Sequence, residues 1–357
     1  MRHIARWLVL AAVTAAASVG LALLGVPSAA LFAALVVGIG FALTSPTPAR
    51  VARPLGLAAQ GVLGVYIGTM VQPDALSALG DDWPMVAAVA VATLGLSVIA
   101  GVLLGLHRDV NALTGALALV AGGASGLVAI ARELGGDDRV VAVVQYLRVA
   151  LITASMPVVV TLIYRADTAQ PAATGPDRHA PWYLSLALLA GLVLIGGYLA
   201  RRIRLPGAGL LGPLALTVAL ELSGYSFGLA VPTILVQAGY ALIGWQAGLA
   251  FTRESLRAVG RLLPLAVALI LALGVVTAGL GVVLSQVTGV TLLDGYLATS
   301  PGGVYAVLAT AADTGANVTF IIAAQVVRIL LMLFCAPLTA RAVAHWGTKR
   351  NSIPADR

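Results

Sequence analysis

The sequence predicts an all-α membrane protein of two inverted repeats, each with five transmembrane helices and one re-entrant helical hairpin. Of its 357 residues, 60% are hydrophobic and only 10% are charged, whereas a soluble domain carries roughly a quarter charged residues. Apolar segments of about 18 to 25 residues, each long enough to cross a ~30 Å hydrocarbon core, follow one another along nearly the whole chain. The second half also repeats the first at a constant offset in residue number, so that Gln145 and Arg148 match Gln325 and Arg328.

The apolar segments form two sets of six around a polar stretch with three prolines. They divide the chain into a first membrane repeat (residues 1–164), an extracytoplasmic linker (165–181), a second membrane repeat (182–345) and a cytoplasmic tail (346–357). The first segment begins like a signal peptide, but a segment of the same kind opens the second set, so we expect it to be a retained span. The twelve segments lie near Trp7–Leu24, Pro27–Leu43, Leu55–Val71, Met85–Leu106, Asn111–Leu134, Val140–Tyr164, Trp182–Ala200, Leu205–Leu222, Pro232–Phe251, Leu262–Ser285, Thr291–Thr314 and Val318–Leu338.

The positive charges distinguish two topologies. If all twelve segments crossed the bilayer, the arginines and lysines would divide almost evenly between its two sides, against the positive-inside rule. If Asn111–Leu134 and Thr291–Thr314 are instead re-entrant hairpins, the chain has ten spans and the second repeat is inverted. Nearly all basic residues then face the cytoplasm, with Arg165 and Arg178 outside. The charges favour the hairpins, in a multi-pass protein of the bacterial inner membrane with both termini in the cytoplasm.

Each predicted hairpin carries a glycine pair near its middle, Gly122–Gly123 in the first and Gly302–Gly303 in the second. About eleven residues precede each pair and about nine follow it, so each arm reaches only ~15 Å, half of the hydrocarbon core. Backbone at that depth is tolerated only where it lines a cavity or is buried in protein. Interrupted helices that meet at the midplane of inverted repeats are typical of secondary transporters.

The predicted substrate site lies at the level of these glycines. An arginine about 12 to 15 Å deep costs a few kcal/mol and indicates a functional site with an anionic partner. Each glutamine precedes an arginine by three residues on the same helix face, and we expect its amide to donate to the same ligand. Free backbone N–H groups and hydroxyls at the hairpin tips complete a site suited to a carboxylate. Its predicted members are Arg148, Arg328, Gln145, Gln325, Gly122, Gly123, Ser125, Ser300, Gly302 and Gly303.

A structural interpretation of the two arginines stays open. They would then pair with Glu133, Asp313 or Glu221 and lock each hairpin to a neighbouring helix. The two interpretations do not exclude each other, because one guanidinium has enough donors for both.

Three carboxylates are candidates for binding a coupling ion, Na⁺ or H⁺. Glu133 and Asp313 hold equivalent positions at the ends of the hairpins, where a carboxylate either binds such an ion or is a solvated helix end. Asp294 is a weaker candidate, because Thr114 takes its place in the first repeat.

Other chemistry has little support in the sequence. Cys335 is the only cysteine and the four histidines lie in separate places, so we expect neither a disulfide framework nor a metal site. No nucleophile and base fall into one pocket and no phosphate loop is present, so we expect no enzyme and no cofactor apart from the coupling ion. The net charge of +7 lies in short loops rather than on a soluble basic face, so we expect no nucleic-acid partner.

The most specific stretch of the sequence is SPGGVYAVLATAADTGANVTFIIAAQVVRIL, and the first repeat has AGG in place of its SPGG. Together with LPGAGLLGPLALTVAL, it resembles the AbrB family of bacterial membrane proteins, which carry a duplicated membrane domain. The resemblance covers about residues 5 to 345. Family labels such as regulator of gene expression or ammonia monooxygenase find no support in these residues, since a monooxygenase needs copper or iron ligands.

In architecture the chain resembles the glutamate:sodium and 2-hydroxycarboxylate symporters, which have inverted five-helix repeats with glycine-tipped hairpins. We therefore expect a secondary transporter of a small organic anion that works by alternating access with ion coupling. The hairpins, Arg148 and Arg328 would form a mobile core, and the other helices a scaffold. The resemblance to elevator-like transporters implies a homodimer.

The alternative is a membrane sensor or regulatory protein that binds a small ligand and influences gene expression through a partner. Among the predicted cytoplasmic parts, the loops are short, and only the basic tail, Ala340–Arg357, is long enough to dock one.

Overall fold

The computed structural model describes residues 2–44, 50–71, 73–108, 110–120, 124–165, 180–203, 205, 207–224, 228–332 and 335. Within these ranges all regular secondary structure is helical, and five helices are long and apolar enough to cross a membrane. The prediction of a helical membrane protein is thereby confirmed.

The last helix of the first half is continued by a turn that is wider than an α-helical turn. A π-helical turn, Val159–Ile163, extends the last helix directly after Pro157, which lacks the N–H that an α-helical hydrogen bond would need. The helices are α1 (Arg2–Leu23), α2 (Ala29–Thr44), α3 (Arg53–Gly68), α4 (Pro73–Leu104), α5 (Ala112–Leu119), α6 (Ala124–Glu133) and α7 (Asp138–Val158).

The second half follows the same order, except that two helices replace the unbroken α4. These two are α11 and α12 in the series α8 (Trp182–Arg202), α9 (Ala208–Leu222), α10 (Thr233–Gly248), α11 (Arg253–Ala258), α12 (Leu263–Thr288), α13 (Leu292–Thr299), α14 (Val304–Asp313) and α15 (Val318–Met332).

Both predicted hairpin segments are broken helices. The first is divided into α5 and α6, the second into α13 and α14, with 8 residues before each break and 10 after it. At 1.5 Å per residue these arms are about 12 and 15 Å long, so no single arm can cross a ~30 Å hydrocarbon core. Helix α13 ends directly before Ser300-Pro301, where a proline disfavours helix in the residue that precedes it.

The helices pack as two bundles, and each bundle draws on both halves of the chain. In the first bundle (α1–α3 and α8–α10), α2 packs on α10 and α1, and α3 packs on α8, α9 and α10. In the second bundle (α4–α7 and α12–α15), α4 packs on α5 and α12, α7 packs on α5, α6 and α12, and α12 packs on α13. Helix α15 joins it through Phe320 and Ala324, which pack on α4, α12 and α13. Between the bundles, α7 contacts α2 and α10, and α14 contacts α3. Helices α7, α13, α14 and α15 also share one buried apolar cluster with α2, α3, α9 and α10.

Glycines on α3 and α10 allow close helix contacts in the first bundle. A Cβ on Gly64 of α3 would lie 2.5 Å from the carbonyl oxygen of Leu210 on α9, and one on Gly248 of α10 would lie 2.5 Å from that of Leu35 on α2. Such close approach is typical of membrane helices that pack through small residues. Each contact joins one half of the chain to the other, so the two halves interlock.

Candidate functional site

Arg148 on α7 is only 5% exposed and is held by neutral acceptors. Its Nη1 donates to the carbonyl oxygen of Leu119 at 2.8 Å, and its Nη2 donates to Oε1 of Gln145 at 2.9 Å. The Nε2 of Gln145 donates to the carbonyl oxygens of Leu117 at 2.8 Å and Val120 at 2.7 Å. The last carbonyls of a helix have no partner within it, so α7 satisfies the backbone that the break after α5 leaves free.

Arg328 on α15 repeats this arrangement in the second half and is 3% exposed. Its Nη1 donates to the carbonyl oxygen of Ser300, and its Nη2 donates to Oε1 of Gln325 at 2.5 Å. The Nε2 of Gln325 donates to the carbonyl oxygens of Leu297 at 2.9 Å and Ala298 at 3.3 Å. Both glutamines therefore give their amide donors to the broken helices.

Donors without a partner remain at both arginines. A guanidinium has five N–H donors, and the Nε of Arg148 and the Nε of Arg328 are buried without a hydrogen-bond partner. The hydroxyl oxygens of Ser300 and Thr153 are also buried without one. A buried, unsatisfied polar group costs about 1–3 kcal/mol, and a charged group costs more. A ligand that accepts hydrogen bonds from these atoms would remove that cost.

The tip of the second broken helix lies directly on α7 of the first half. A Cβ on Gly302 would lie 2.9 Å from Cγ2 of Ile152, and one on Gly303 would lie 3.2 Å from Cγ1 of Val149. The same Cβ on Gly303 would lie 3.6 Å from Oγ1 of Thr153, one of the unpartnered hydroxyls. The missing side chains thus let the tip approach the helix turn that follows Arg148.

This contact brings two positive charges together without a neutralising carboxylate. Arg328 bonds to Ser300 beside the tip, and Arg148 directly precedes Val149, which the tip contacts. Within the described ranges no carboxylate lies at ion-pairing distance from either guanidinium. Glu133 is exposed at the end of α6, Asp313 bonds elsewhere, and Glu221 lies on α9 in the first bundle. The described structure therefore does not contain the ion pairs that the structural interpretation requires of Glu133 and Asp313.

Asp313, at the end of α14, connects the two bundles. Its Oδ2 accepts hydrogen bonds from the backbone N–H of Ser28 at 2.6 Å and from the Ser28 hydroxyl at 3.0 Å. Ser28 precedes α2 and has a positive φ of 51°.

Asp294 caps α13 and ties it to the loop before α15. Its carboxylate accepts from the N–H of Thr291 at 3.1 Å, from the Thr291 hydroxyl at 2.7 Å and from the N–H of Asn317 at 2.7 Å. In the first half, the hydroxyl of Thr114 accepts from the N–H of Asp137 at 2.9 Å in the equivalent position. The structure thus gives Asp294 a full set of donors from the chain itself.

A small cavity adjoins the second arginine. Arg328, Thr299 and Ala324 line it together with Thr93 on α4, so it lies between the second broken helix and the long helices of its bundle. The cavity places open space beside a guanidinium that has an unpartnered donor.

Three predicted site residues lie wholly or partly outside the described structure. Gly122 and Gly123 lie outside the described residues, and of Ser125 only the backbone within α6 is described. Two residues that contribute to the arrangement were missed. A hydroxyl five positions after a buried arginine could have indicated Thr153, whereas nothing local marks Ser28 as a partner of Asp313.

The family described as Transition state regulatory protein AbrB matches residues 30–344, which include both arginines and both broken helices. The chain belongs to the AbrB family. The resemblance seen in the sequence is confirmed, and the match spans the helices from α2 to α15.

The chain is also similar in sequence to two bacterial proteins. The chain is 32% identical over 351 residues to the AbrB protein of Escherichia coli (strain K12), which carries the name of a candidate regulator; the match covers 97% of this chain and 99% of that protein. It is 28% identical over 310 residues to YhjN of Bacillus subtilis (strain 168), an uncharacterized protein by name, with 82% and 79% covered.

Proposed function

We propose that this AbrB-family protein is a secondary transporter of a small organic anion, which binds between Arg148 and Arg328. One observation carries the proposal: each half supplies a buried guanidinium that is fixed by neutral acceptors and retains an unpartnered Nε–H. Buried charges in proteins are normally paired. A carboxylate provides the missing charge and also fits the planar fork of donors.

The broken helices support the transporter architecture. Their arms are too short to cross the hydrocarbon core, so we place α5–α6 and α13–α14 as re-entrant hairpins that enter from opposite faces. Equivalent hydrogen bonds in the two halves, from Asp137 to Thr114 and from Asn317 to Asp294, support the internal repeat. The proposed topology has ten spans, both termini in the cytoplasm and residues 165–181 outside, in the bacterial inner membrane.

The two bundles support a division into scaffold and core. The glycine-packed first bundle is the proposed scaffold and the surface for a homodimer. The second bundle contains both hairpins and both arginines, and it is the proposed mobile core. Because the core is built from both halves, it can carry an anion past the scaffold as one body. A coupling ion, Na⁺ or H⁺, would bind at Glu133 or Asp313.

The candidate-regulator name of the Escherichia coli relative favours a second function. In that case the same anion site would sense a ligand and signal through a partner. Uptake of a ligand into sealed vesicles separates the two functions, because a sensor binds without transport.

The test begins with a screen of small carboxylates and matched neutral amides for thermal stabilisation of the detergent-purified protein, since a ligand of the folded state stabilises it by RT ln(1 + [L]/Kd). The best ligand is then measured by calorimetry on variants. Arg148→Gln and Arg328→Gln should each weaken binding by about 2–5 kcal/mol, because a carboxylate is left buried and unpaired. Arg→Lys should weaken it less, since it keeps the charge but loses the fork.

Arg132→Gln is the matched control, because Arg132 is exposed and bonds to Asp138 away from the site. It should leave the affinity unchanged. Unchanged affinity in both variants of the buried arginines would refute the anion site. Binding without uptake into vesicles would favour the sensor.

A further inference from the structure

Each of the two arginines keeps hydrogen-bond donors that are free to bind one carboxylate. In each, Nη1 is fixed by a carbonyl oxygen of the hairpin and Nη2 by a glutamine of the same helix. These bonds fix the plane of the guanidinium and leave Nε–H and one N–H on each Nη for a ligand. The edge formed by Nε and the adjacent Nη matches both oxygens of a carboxylate.

Charge then determines what the ligand must carry. A single carboxylate would neutralise one guanidinium and leave the other buried without a counter-charge, since both arginines are buried. An unpaired buried charge is strongly destabilising. The hydroxyls of Ser300 and Thr153, one from each half, are additional free donors in the same region.

We infer that the ligand is a short dicarboxylate, held with one carboxylate on Arg148 and one on Arg328. This inference rests on the proposed anion site and narrows its substrate class. A short ligand is required because the tip of the second hairpin lies directly on the turn of α7 that follows Arg148.

Half-amides provide the test, because they replace one carboxylate by a neutral group of nearly the same shape. Calorimetry would compare malonate, succinate and glutarate with the half-amide of each. The best dicarboxylate should bind more than about 30-fold more tightly than its half-amide, the lower end of the effect expected when a buried charge loses its partner. In Arg148→Gln and in Arg328→Gln this ratio should fall towards one, while the Arg132→Gln control keeps it.

The outcomes separate the two proposals. A half-amide or a simple monocarboxylate that binds wild type as tightly as the dicarboxylate overturns the inference and leaves the anion site standing. Binding of none of these carboxylates overturns both. If the Gln variants fail to fold, Arg→Lys at the same positions serves instead, and the ratio should again fall.

A different observation concerns the ends of the hairpins, which are unequal in the two halves. Asp313 is bonded to Ser28 of the first bundle, whereas its counterpart Glu133 is exposed. The turn that Ser28 forms has a counterpart as well. Ser28 has φ 51° and Gly207 has φ 64°, and each accepts the first hydrogen bonds of the helix that follows, α2 or α9.

The packing of α2 and α9 gives the same equivalence. Leu31 lies three residues after Ser28 and packs against Gly244. Leu210 lies three residues after Gly207 and packs against Gly64, the glycine equivalent to Gly244. Ser28 and Gly207 therefore mark matching turns on opposite faces of the scaffold in the proposed topology. Gly207 is exposed, like Glu133.

We propose that these two turns are alternative docking points for the hairpins. In the state described, Asp313 is docked on Ser28 and closes the outer side, while Glu133 is undocked and the inner side is open. In the opposite state Asp313 leaves Ser28, and Glu133 accepts a hydrogen bond from the N–H of Gly207. The two states differ by the hydroxyl bond that only Ser28 can donate, so the described state is favoured by one charge-assisted bond and the opposite state is the minor one.

Cysteine pairs in a Cys335→Ser background test the exchange. Oxidative crosslinking of Ser28→Cys with Asp313→Cys should trap the described state, and Glu133→Cys with Ala208→Cys should trap the opposite one. In the second pair, adding Asp313→Asn should raise the crosslinked fraction by several-fold, because it weakens the bond between residue 313 and Ser28 that holds the described state. Asp294→Asn is the control and should not change that fraction, since Asp294 bonds only within the second bundle among the described contacts.

Failure of the inner pair to crosslink, or a fraction that Asp313→Asn does not raise, would overturn the docking exchange. The crosslinks do not depend on a substrate. If both crosslinks form but no carboxylate changes their fractions, the docking exchange stands. That result would count against the proposed transporter.

Discussion

Gly244→Ala should destabilise the protein. The steric overlap of the added Cβ should cost more free energy than the better helix propensity of alanine gains. A Cβ at this position on α10 would lie 2.6 Å from the Cβ of Ala34 and 2.9 Å from the backbone nitrogen of Leu35, and closer still to the carbonyl oxygen of Leu31. All three atoms belong to the α2 backbone or are fixed to it, so no side-chain rotation can relieve the overlap. Overpacking of this kind costs about 1–3 kcal/mol.

Gly279→Ala is the matched control within the same protein. Gly279 is an exposed residue of α12, and a Cβ there would meet no atom within 4 Å. Replacing a helical glycine by alanine at such a site stabilises by up to about 1 kcal/mol. The two variants should therefore differ by about 1–3 kcal/mol, the cost of the overpacking alone, because the same propensity gain applies to both.

The measurement is reversible unfolding of both variants in mixed micelles, compared with wild type. A loss of 1–2 kcal/mol corresponds to a roughly 5- to 30-fold fall in the ratio of folded to unfolded protein. Equal stabilities for the two alanine variants would refute the tight α2–α10 contact, and with it the interlocked halves of the first bundle.

Three further predictions concern the topology and two structural contacts. In a Cys335→Ser background, Arg165→Cys should react with an impermeant thiol reagent on intact cells and Arg139→Cys should not, whereas a twelve-span topology reverses both results. Asp294→Ala should cost about 0.5–2 kcal/mol of unfolding free energy through loss of the cap, and Asp294→Thr should cost less, because a threonine hydroxyl already accepts the equivalent bond in the first half. Thr14→Val should cost about 1–3 kcal/mol, because it leaves the indole N–H of Trp245 without its acceptor at 2.9 Å; Thr14→Ser, which keeps the hydroxyl, should not.

The features that follow from composition and local pattern were predictable. Hydropathy gave the helical membrane class, and glycines at helical spacing gave the close packing of α3 and α10, because both depend on residue types along one helix. The breaks within the two hairpin segments were predictable for the same reason, since Gly and Pro act on the backbone that carries them.

The features that depend on distant partners were not predictable. The expected glutamine donors for a ligand are instead directed to hairpin carbonyls, because those carbonyls become free only when the helix breaks beside them. The bond between Asp313 and Ser28 joins residues at opposite ends of the sequence, so no local pattern identifies it. Asp294 looked like an ion-coupling candidate because an acidic residue in an apolar segment indicates function, yet its hydrogen bonds are those of a helix cap.

The broken helices also explain why an arginine occupies each buried position at all. In a bilayer, water cannot reach the carbonyls that a helix break exposes, so the protein itself must supply the donors. In each half a glutamine and an arginine, three residues apart on one helix, supply the observed hydrogen bonds to those carbonyls. A lysine would provide charge but no planar fork able to hold both a carbonyl and a glutamine while keeping a further edge free. The structural and the ligand-binding interpretations are therefore compatible in one side chain. The Nη atoms bond to the broken helix and to the glutamine, and Nε–H is the donor left for the proposed anion.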